Sequence, residues 1–493
     1  MALYVGIDCG TQGTKVIVFD SETSVIKGEG YAPHRLITDD SGAREQDPGW
    51  WIEALDSAMS EALTPLGGAR RSVRAIGVSG QQHGLVILDS EHRVIRNAKL
   101  WNDTESAHDN TSLISSAGGE QAVLLKIGTA IPVGYTASKL VWLKRCEPEA
   151  FRRIRYTMNP KDYINYYLSE VVCTDSGSAS GTGYFDVIHR KWNDEMVNLV
   201  DDSGILQNAL PRVVDDLAHV GRIRAEIGAR FGLDSACVVV AGSGDNMMAA
   251  VGTGNVESGI ATVTLGTSGV LSVFTDQAPE GYPSIVQIQN SLPNGWLPTV
   301  CTMNATSTTG AVQQLLAMDL TEFDQEMESA AIGSEGIIMF PFFNGERMPP
   351  LPHANGLISG LTTSNMSRRN LIRASAEAVV LGLRWGYDLL REKGIELREV
   401  RLVGGGSNSR PWRQIVADVL NVEVLVPQSK EAGALGAAIQ AMAACGEGEV
   451  PALCKRHVRL DERKRGRPVP ENVTRYEELY QSYLMQRRVF FGL

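Results

Sequence analysis

Asp8 closes an apolar run, Tyr4-Val5-Gly6-Ile7, and is followed by Cys9-Gly10-Thr11-Gln12-Gly13-Thr14-Lys15 and a second apolar run, Val16-Ile17-Val18-Phe19. β-Branched residues on both sides of a Gly and Thr turn predict a β-hairpin. Its tip offers a carboxylate, hydroxyls, bare backbone amides and a lysine, a set that suits a phosphate. A P-loop is excluded because a strand, not a helix, follows the lysine. A dinucleotide fingerprint is excluded because Asp8 stands where its first glycine belongs. The pattern returns as Ala261-Thr262-Val263-Thr264-Leu265-Gly266-Thr267-Ser268-Gly269-Val270-Leu271-Ser272-Val273-Phe274. Two such hairpins in two half-chains suggest a duplicated fold in which each half lends a phosphate clamp.

A third stretch carries a carboxylate on a turn. Cys237-Val238-Val239-Val240-Ala241 reads as a buried strand and runs into Gly242-Ser243-Gly244-Asp245-Asn246 before a helix. Asp245 reads either as the N-cap of that helix or as a general base that takes the proton of a substrate hydroxyl. The strand Ala75 to Ser79 ends in Gly80-Gln81-Gln82-His83-Gly84, where amides and an imidazole could bond a polyhydroxylated ligand. His83 stands open between ligand contact and structural histidine. Leu100-Trp101-Asn102-Asp103 places polar groups beside an aromatic, which fits sugar edges and faces and equally a loop whose Asp caps a helix.

Positioning these groups takes a large α/β scaffold. The chain has 493 residues, more than one core usually serves, so two domains are expected. Hydrophobic residues at 43% and charged residues at 21% are those of an ordinary soluble enzyme. A net charge of −11 argues against a nucleic-acid partner. Seven scattered cysteines show no metal spacing and fit a reduced, cytoplasmic setting. A strand begins within three residues of the N-terminus, and no apolar run is long enough for a bilayer, so neither a signal peptide nor a membrane partner is expected.

Along the chain, Pro48 starts a helix to about Leu63, with Trp51, Leu55, Ala58, Met59 and Ala62 on one face. Residues 135–190 read as support on the far side of the first domain. In the second half, Gly310 to Gln314 lie on a helix and Pro341 to Arg347 at a strand end, and a helix runs from about Arg368 to Leu390. Val403-Gly404-Gly405-Gly406-Ser407-Asn408-Ser409 leads from a strand to another helix, and its glycines would let an adenine ring lie on backbone. Gly433 to Ala438 open a helix of small residues. Lys455 to Arg467 carries seven basic residues and reads as a solvated surface segment before a final helix with Tyr476, Leu479, Tyr480 and Tyr483.

In this order, the Asp8–Lys15 hairpin, Gly244-Asp245-Asn246, Leu265–Gly269, Gly356–Glu377, Gly404–Ser409 and Gly433–Ala438 resemble the FGGY carbohydrate kinases over nearly the whole chain. The resemblance implies two ribonuclease-H-like α/β domains of the actin and hexokinase superfamily with a nucleotide cleft between them. The division expected is 1–250 for the N-terminal domain, 251–445 for the C-terminal domain and 446–493 for an extension. It implies ATP and Mg2+ as cofactors, a small-molecule sugar as partner, and assembly, if any, as a homodimer. Carried over residue by residue, Asp245 is the base and Asp8 holds the metal through water. Thr11, Gln12, Gly13 and Lys15 meet the phosphates from one side, and Gly266 and Thr267 from the other. Gly310, Gln314, Gly405 and Gly406 line the nucleotide, with Asn408 or Ser409 nearby. Gln82, His83, Asn246, Trp101 and Asp103 hold the sugar.

Glu45-Gln46-Asp47-Pro48 with Trp51, the 80–84 loop, Trp101-Asn102-Asp103 and Pro160-Lys161-Asp162-Tyr163 are similar to members acting on a ketopentose, with D-xylulose the acceptor expected. Gln82 stands where Met is common, and Met348-Pro349-Pro350-Leu351-Pro352 replaces a usual Thr-Pro-His, so ribulose, gluconate, fructose and glycerol are the alternative acceptors. An actin-like or chaperone-like ATPase shares the two hairpins but needs no acceptor loop. A kinase-like regulatory protein without turnover would not require both Asp8 and Asp245.

Overall fold

The computed structural model describes residues 2–492. The chain forms two units, one of Met1–Val256, Asp276–Leu297 and Glu431–Val458, the other of Glu257–Thr275, Pro298–Lys430 and Arg459–Leu493. The linear division at 250 and 445 therefore misses two returns of the chain to the first unit. The second return carries the helix Ala432–Ala444, whose small residues pack closely on the first unit's sheet and on the helix Asp245–Thr253.

The first unit is built on a sheet ordered His219–Arg222, Val238–Val240, Val73–Gly80, Leu3–Cys9, Gly13–Asp20, Val25–Pro33. The hairpin of Leu3–Cys9 and Gly13–Asp20 is antiparallel, whereas Leu3–Cys9 runs parallel to Val73–Gly80, which runs parallel to Val238–Val240. Val5, Ile7, Val16 and Val18 on one face are buried against the helix Pro48–Leu63 through Trp51, Leu55, Ala58 and Met59. Each such side chain contributes ~1.5–3 kcal/mol on burial. Asp47 caps this helix by accepting the Gly49 N–H, and Pro48 occupies its first turn. On the other face lies the helix Ala432–Ala444. A Cβ on Gly6 would fall 1.9 Å from the Ala434 carbonyl oxygen and one on Gly77 2.1 Å from that of Ala437, so the helix rests on bare strand backbone.

The second unit repeats the plan. Its sheet is ordered Thr299–Thr302, Gly269–Val273, Ile260–Leu265, Glu399–Val403, Glu423–Leu425, with the hairpin antiparallel and the last three strands parallel. The same strand order around the same hairpin in both units is the duplication that the two Gly and Thr turns announced.

The segment Lys455–Arg467 carries its basic side chains at the surface, as expected, but is anchored at several points. Its first residues finish the helix Val450–His457, whose His457 is buried and bonded to the Ser24 hydroxyl at 2.8 Å. Farther on, Gly466 bridges to Val424, and Arg465 pairs with Glu423 at 2.7 Å, which ties this part of the segment to a sheet edge. Among the described residues, no helix is long and apolar enough to cross a membrane.

Candidate active site

In the first unit, parallel register aligns Asp8 with Ser79, Ser243 also with Ser79, and Gly244 with Gly80. Asp8, the 80–84 loop and Asp245 thus share the carboxyl end of one sheet, where α/β folds place their ligands. Asp8 accepts the Ser79 hydroxyl at 2.7 Å. Burial pushes its carboxyl above the usual range, against the pull of Ser79 and Lys15, and the charge of Glu431 adds to the rise. A Cβ at Gly433 would fall 2.8 Å from the Asp8 carboxylate, so glycine is what leaves room there.

Asp245 heads the helix Asp245–Thr253. Its hydrogen bonds from the Asn246 N–H at 2.8 Å and the Gln82 amide at 3.5 Å both fall on Oδ1. Burial pushes its pKa up to about 7, and the charge of Asp8 adds to the shift. Carboxylates whose ionisation is disfavoured in this way offer hard oxygen atoms of the kind that could hold a divalent cation.

The turn bearing Asp245 is held from behind. Lys161 is buried with Nζ 2.7 Å from Asp162, 2.8 Å from Asp175 and 2.9 Å from the Ala241 carbonyl oxygen. Asn165 donates to the same carbonyl at 2.6 Å, and Asp175 accepts the Ser243 hydroxyl at 2.5 Å. The motif Pro160-Lys161-Asp162-Tyr163 was legible only as a sub-family mark, and nothing in its spacing ties it to Asp245.

His83 stacks on Tyr135 with ring centroids 4.4 Å apart and bonds through Nδ1 to the Gly181 carbonyl at 2.9 Å. A carbonyl can only accept, so Nδ1 carries the proton. Burial lowers the imidazole pKa to about 4, with a smaller push from Lys139, and leaves Nε2 an acceptor. Gln82 is buried and meets Gln289 at 3.3 Å. Residues 135–190, expected on the far side, thus supply the floor of this site, because the chain after residue 135 folds back beneath the 80–84 loop.

At the first hairpin, Thr11 and Lys15 are half-buried, Gln12 is exposed and Gly13 is buried. Lys15 pairs with Glu431 at 2.7 Å. His34 bridges the turn, donating from Nδ1 to the Gly10 carbonyl at 3.0 Å and meeting the Thr14 hydroxyl at 2.9 Å. Trp101 is 44% exposed and donates to the Thr11 hydroxyl at 2.9 Å. Asn246 is exposed beside Asp245. Asp103, expected on the sugar, is fully buried; its Oδ2 holds the Arg44 N–H at 2.8 Å and Lys99 at 3.1 Å, so it braces the loop from inside.

The second unit gathers its residues at the matching end of its own sheet. The N–H groups of Ala305 and Thr306 donate to the carbonyls of Thr267 at 2.9 Å and Gly266 at 2.8 Å, tying the hairpin tip to the helix Thr306–Leu316. A Cβ on Gly310 or Gly405 would meet nothing within 4 Å, and Gln314 lies exposed one turn beyond Gly310. Gly404, at φ +84°, crosses the end of Ile260–Leu265 where a Cβ would fall 2.6 Å from the Leu265 carbonyl oxygen. This close approach seats Gly406 and exposed Asn408, whose side-chain oxygen accepts Lys464 at 3.1 Å.

Residues 3–252 match the N-terminal domain, and residues 261–445 the C-terminal domain, of the FGGY family of carbohydrate kinases. A xylulose kinase of Haemophilus influenzae is 47% identical over 489 residues, 98% of this chain and 99% of its own length. A xylulose kinase of Streptomyces coelicolor is 34% identical over 92% of this chain and 90% of its own. The crystal structure of a xyloylose kinase from Brucella ovis superimposes with a TM-score of 0.92 at 29% identity, covering 99% of each chain.

Proposed function

The chain belongs to the FGGY family of carbohydrate kinases, and we propose that it transfers the γ-phosphoryl group of ATP to the primary hydroxyl of D-xylulose, giving D-xylulose 5-phosphate. Asp245 carries the transfer chemistry of this reading, being a half-buried carboxylate at a strand end with its pKa raised to about 7 and Gln82 beside it, and the 47% identity to a xylulose kinase supports D-xylulose as the acceptor. A base tuned near neutrality is matched to accepting a hydroxyl proton as the phosphoryl group arrives. Phosphoryl transfer is governed mainly by in-line positioning and charge stabilisation, so orienting the hydroxyl matters as much as removing its proton.

The other assignments follow the chemistry of each group. Neutral His83 offers Nε2 as an acceptor, so it binds a sugar hydroxyl that donates; Gln82, Asn246 and Trp101 complete the sugar contacts. Thr11, Gln12, Gly13 and Lys15 are assigned to the phosphates, and Lys15 exchanges Glu431 for a phosphate oxygen. Gly266 and Thr267 contribute phosphate contacts from the second unit, and Gly310, Gln314, Gly405, Gly406 and Asn408 are its nucleotide-facing residues. Asp8 would hold a magnesium ion through water, and that ion supplies charge neutralisation at the phosphoryl oxygens when bound.

The decisive assay is sugar-dependent ADP release with magnesium and ATP across ketopentoses, ketohexoses, polyols and aldonic acids. Stimulation strongest with D-xylulose supports the reading, a different best acceptor reassigns the substrate, and ATP hydrolysis indifferent to every sugar rejects it.

A further inference from the structure

Gln46 is fully buried, and its side-chain amide uses every hydrogen-bonding position it has. Nε2 donates to the Thr11 carbonyl at 2.9 Å and to the Arg35 carbonyl at 2.8 Å. Oε1 accepts the Trp51 indole N–H at 2.9 Å and the Gln81 amide at 3.1 Å. The partners fix which end is which, because two carbonyls can only accept and an indole can only donate. Thr11 sits at the tip of the first hairpin, and Gln81 directly precedes Gln82 and His83. The Gln81 backbone N–H in turn bonds the Cys9 carbonyl at 2.9 Å, and the Thr11 hydroxyl, itself held by Trp101, lies 3.4 Å from Gln81 Oε1. Gln46, Thr11 and Gln81 therefore close a ring.

We propose that Gln46 is a positioning residue for phosphoryl transfer, its amide setting the separation between the phosphate hairpin and the sugar loop. The inference rests on the kinase reading, in which Thr11 belongs to the phosphate side and Gln82 with His83 to the sugar side. Gln46 touches neither substrate. Its strand, Arg44–Gln46, is anchored on one side by pairing with Ala98–Lys99, and the indole of buried Trp51 fixes the amide plane. Neither hairpin tip nor loop can shift without breaking a bond inside this ring, and a buried amide stripped of a partner costs ~1–3 kcal/mol. Misplacement of reacting atoms by about an ångström costs ~10²-fold in rate while leaving each substrate's own contacts in place. The residue should therefore act on kcat and on the partition of phosphate between sugar and water.

The test is Gln46→Glu, which keeps the shape but turns a donor into an oxygen facing the Thr11 and Arg35 carbonyls. Wild type and variant are compared for kcat, for KM of D-xylulose and of ATP, and for the ratio of ATP hydrolysed to sugar phosphorylated. The expected result is kcat lowered at least ~10-fold, both KM values within about threefold, and a hydrolysis ratio raised several-fold. A purely structural role would lower the folded fraction and leave that ratio unchanged. Gln46→Met, apolar and of similar length, serves if the glutamate variant does not fold, with the same result expected. An active wild type with unchanged kcat or an unchanged ratio in the folded variant overturns the inference alone. A wild type without sugar-dependent turnover overturns the kinase reading and the inference with it.

Discussion

Asp175 accepts the Ser243 hydroxyl at 2.5 Å, two residues ahead of Asp245. The bond fixes a glycine-flanked turn that would otherwise have several conformations, since Gly242 takes φ +66° and Gly244 has no side chain to pack. Ser243→Ala removes one oxygen and leaves Lys161 and Asn165 on the Ala241 carbonyl. We expect kcat to fall about tenfold, with KM for the sugar little changed, the pattern of lost positioning. Steady-state kinetics on the folded variant decide it, and an unchanged kcat would show that the remaining contacts suffice.

Replacing the carboxylate itself should cost more. Asp245→Ala is expected to lose at least ~10² in kcat, the usual contribution of a positioned general base. Circular dichroism should be unaltered, because the hydrogen bonds to Asp245 come from its own helix start and from Gln82. Near-normal turnover would remove Asp245 from the base role.

The raised pKa of Asp245, about 7, has opposite consequences for activity and stability. The base must be ionised, so kcat/KM should fall tenfold per unit as pH drops below about 7, and His83, with a pKa near 4, adds no break above pH 5. For stability, the folded pKa lies above the unfolded carboxylate value. The stabilising contribution is complete below that unfolded value and is lost as pH rises through about 7. Asp245→Asn should therefore melt higher than wild type at pH 8, with the difference vanishing near pH 4. A variant that melts lower than wild type at pH 8 would show that the carboxylate is not held at a cost.

These expectations separate what local pattern encodes from what it does not. Both hairpins were legible because β-branched residues flank Gly and Thr turns, and Asp245 because a strand meets a helix at a glycine turn. The tuning of Asp245 was not, since it depends on burial and then on the charge of Asp8, more than two hundred residues away in the chain. Nor were the contacts of Tyr135, Gly181 and Gln289, which come from segments with no motif of their own. The expected division at 250 and 445 runs close to the family-domain bounds at 252 and 445, but the spatial units do not follow it: residues 276–297 and 431–458 return to the first unit, and a linear reading has no term for a chain that crosses back.

Lys99 supplies the last expectation and accounts for the burial of Asp103, which the sequence assigned to the sugar. Its side chain is 1% exposed, and Nζ lies 3.2 Å from Glu45, 3.1 Å from Asp103 and 2.5 Å from Glu105, above the Trp142 ring at 4.0 Å. The three carboxylate oxygens lie within 4.8 Å of one another, a spacing that resembles a metal site until the ammonium among them is counted. Burial alone would lower the lysine pKa, but the bonds to Glu105 and Asp103 and the charge of Glu45 more than offset it and hold it above its usual range. The charge therefore persists across neutral pH. Lys99→Met would leave Asp103 and Glu105 without their ammonium partner, while Glu45 keeps Arg96 at 2.5 Å; the expected cost is ~3–5 kcal/mol, or roughly 10 °C in Tm for a unit of this size. Adding Asp103→Asn and Glu105→Gln should recover part of that loss, because the unpaired charge rather than the missing bond is what destabilises. The sugar KM of the folded fraction should stay near wild type in both variants. A large rise in that KM without a fall in Tm would return Asp103 to the sugar site.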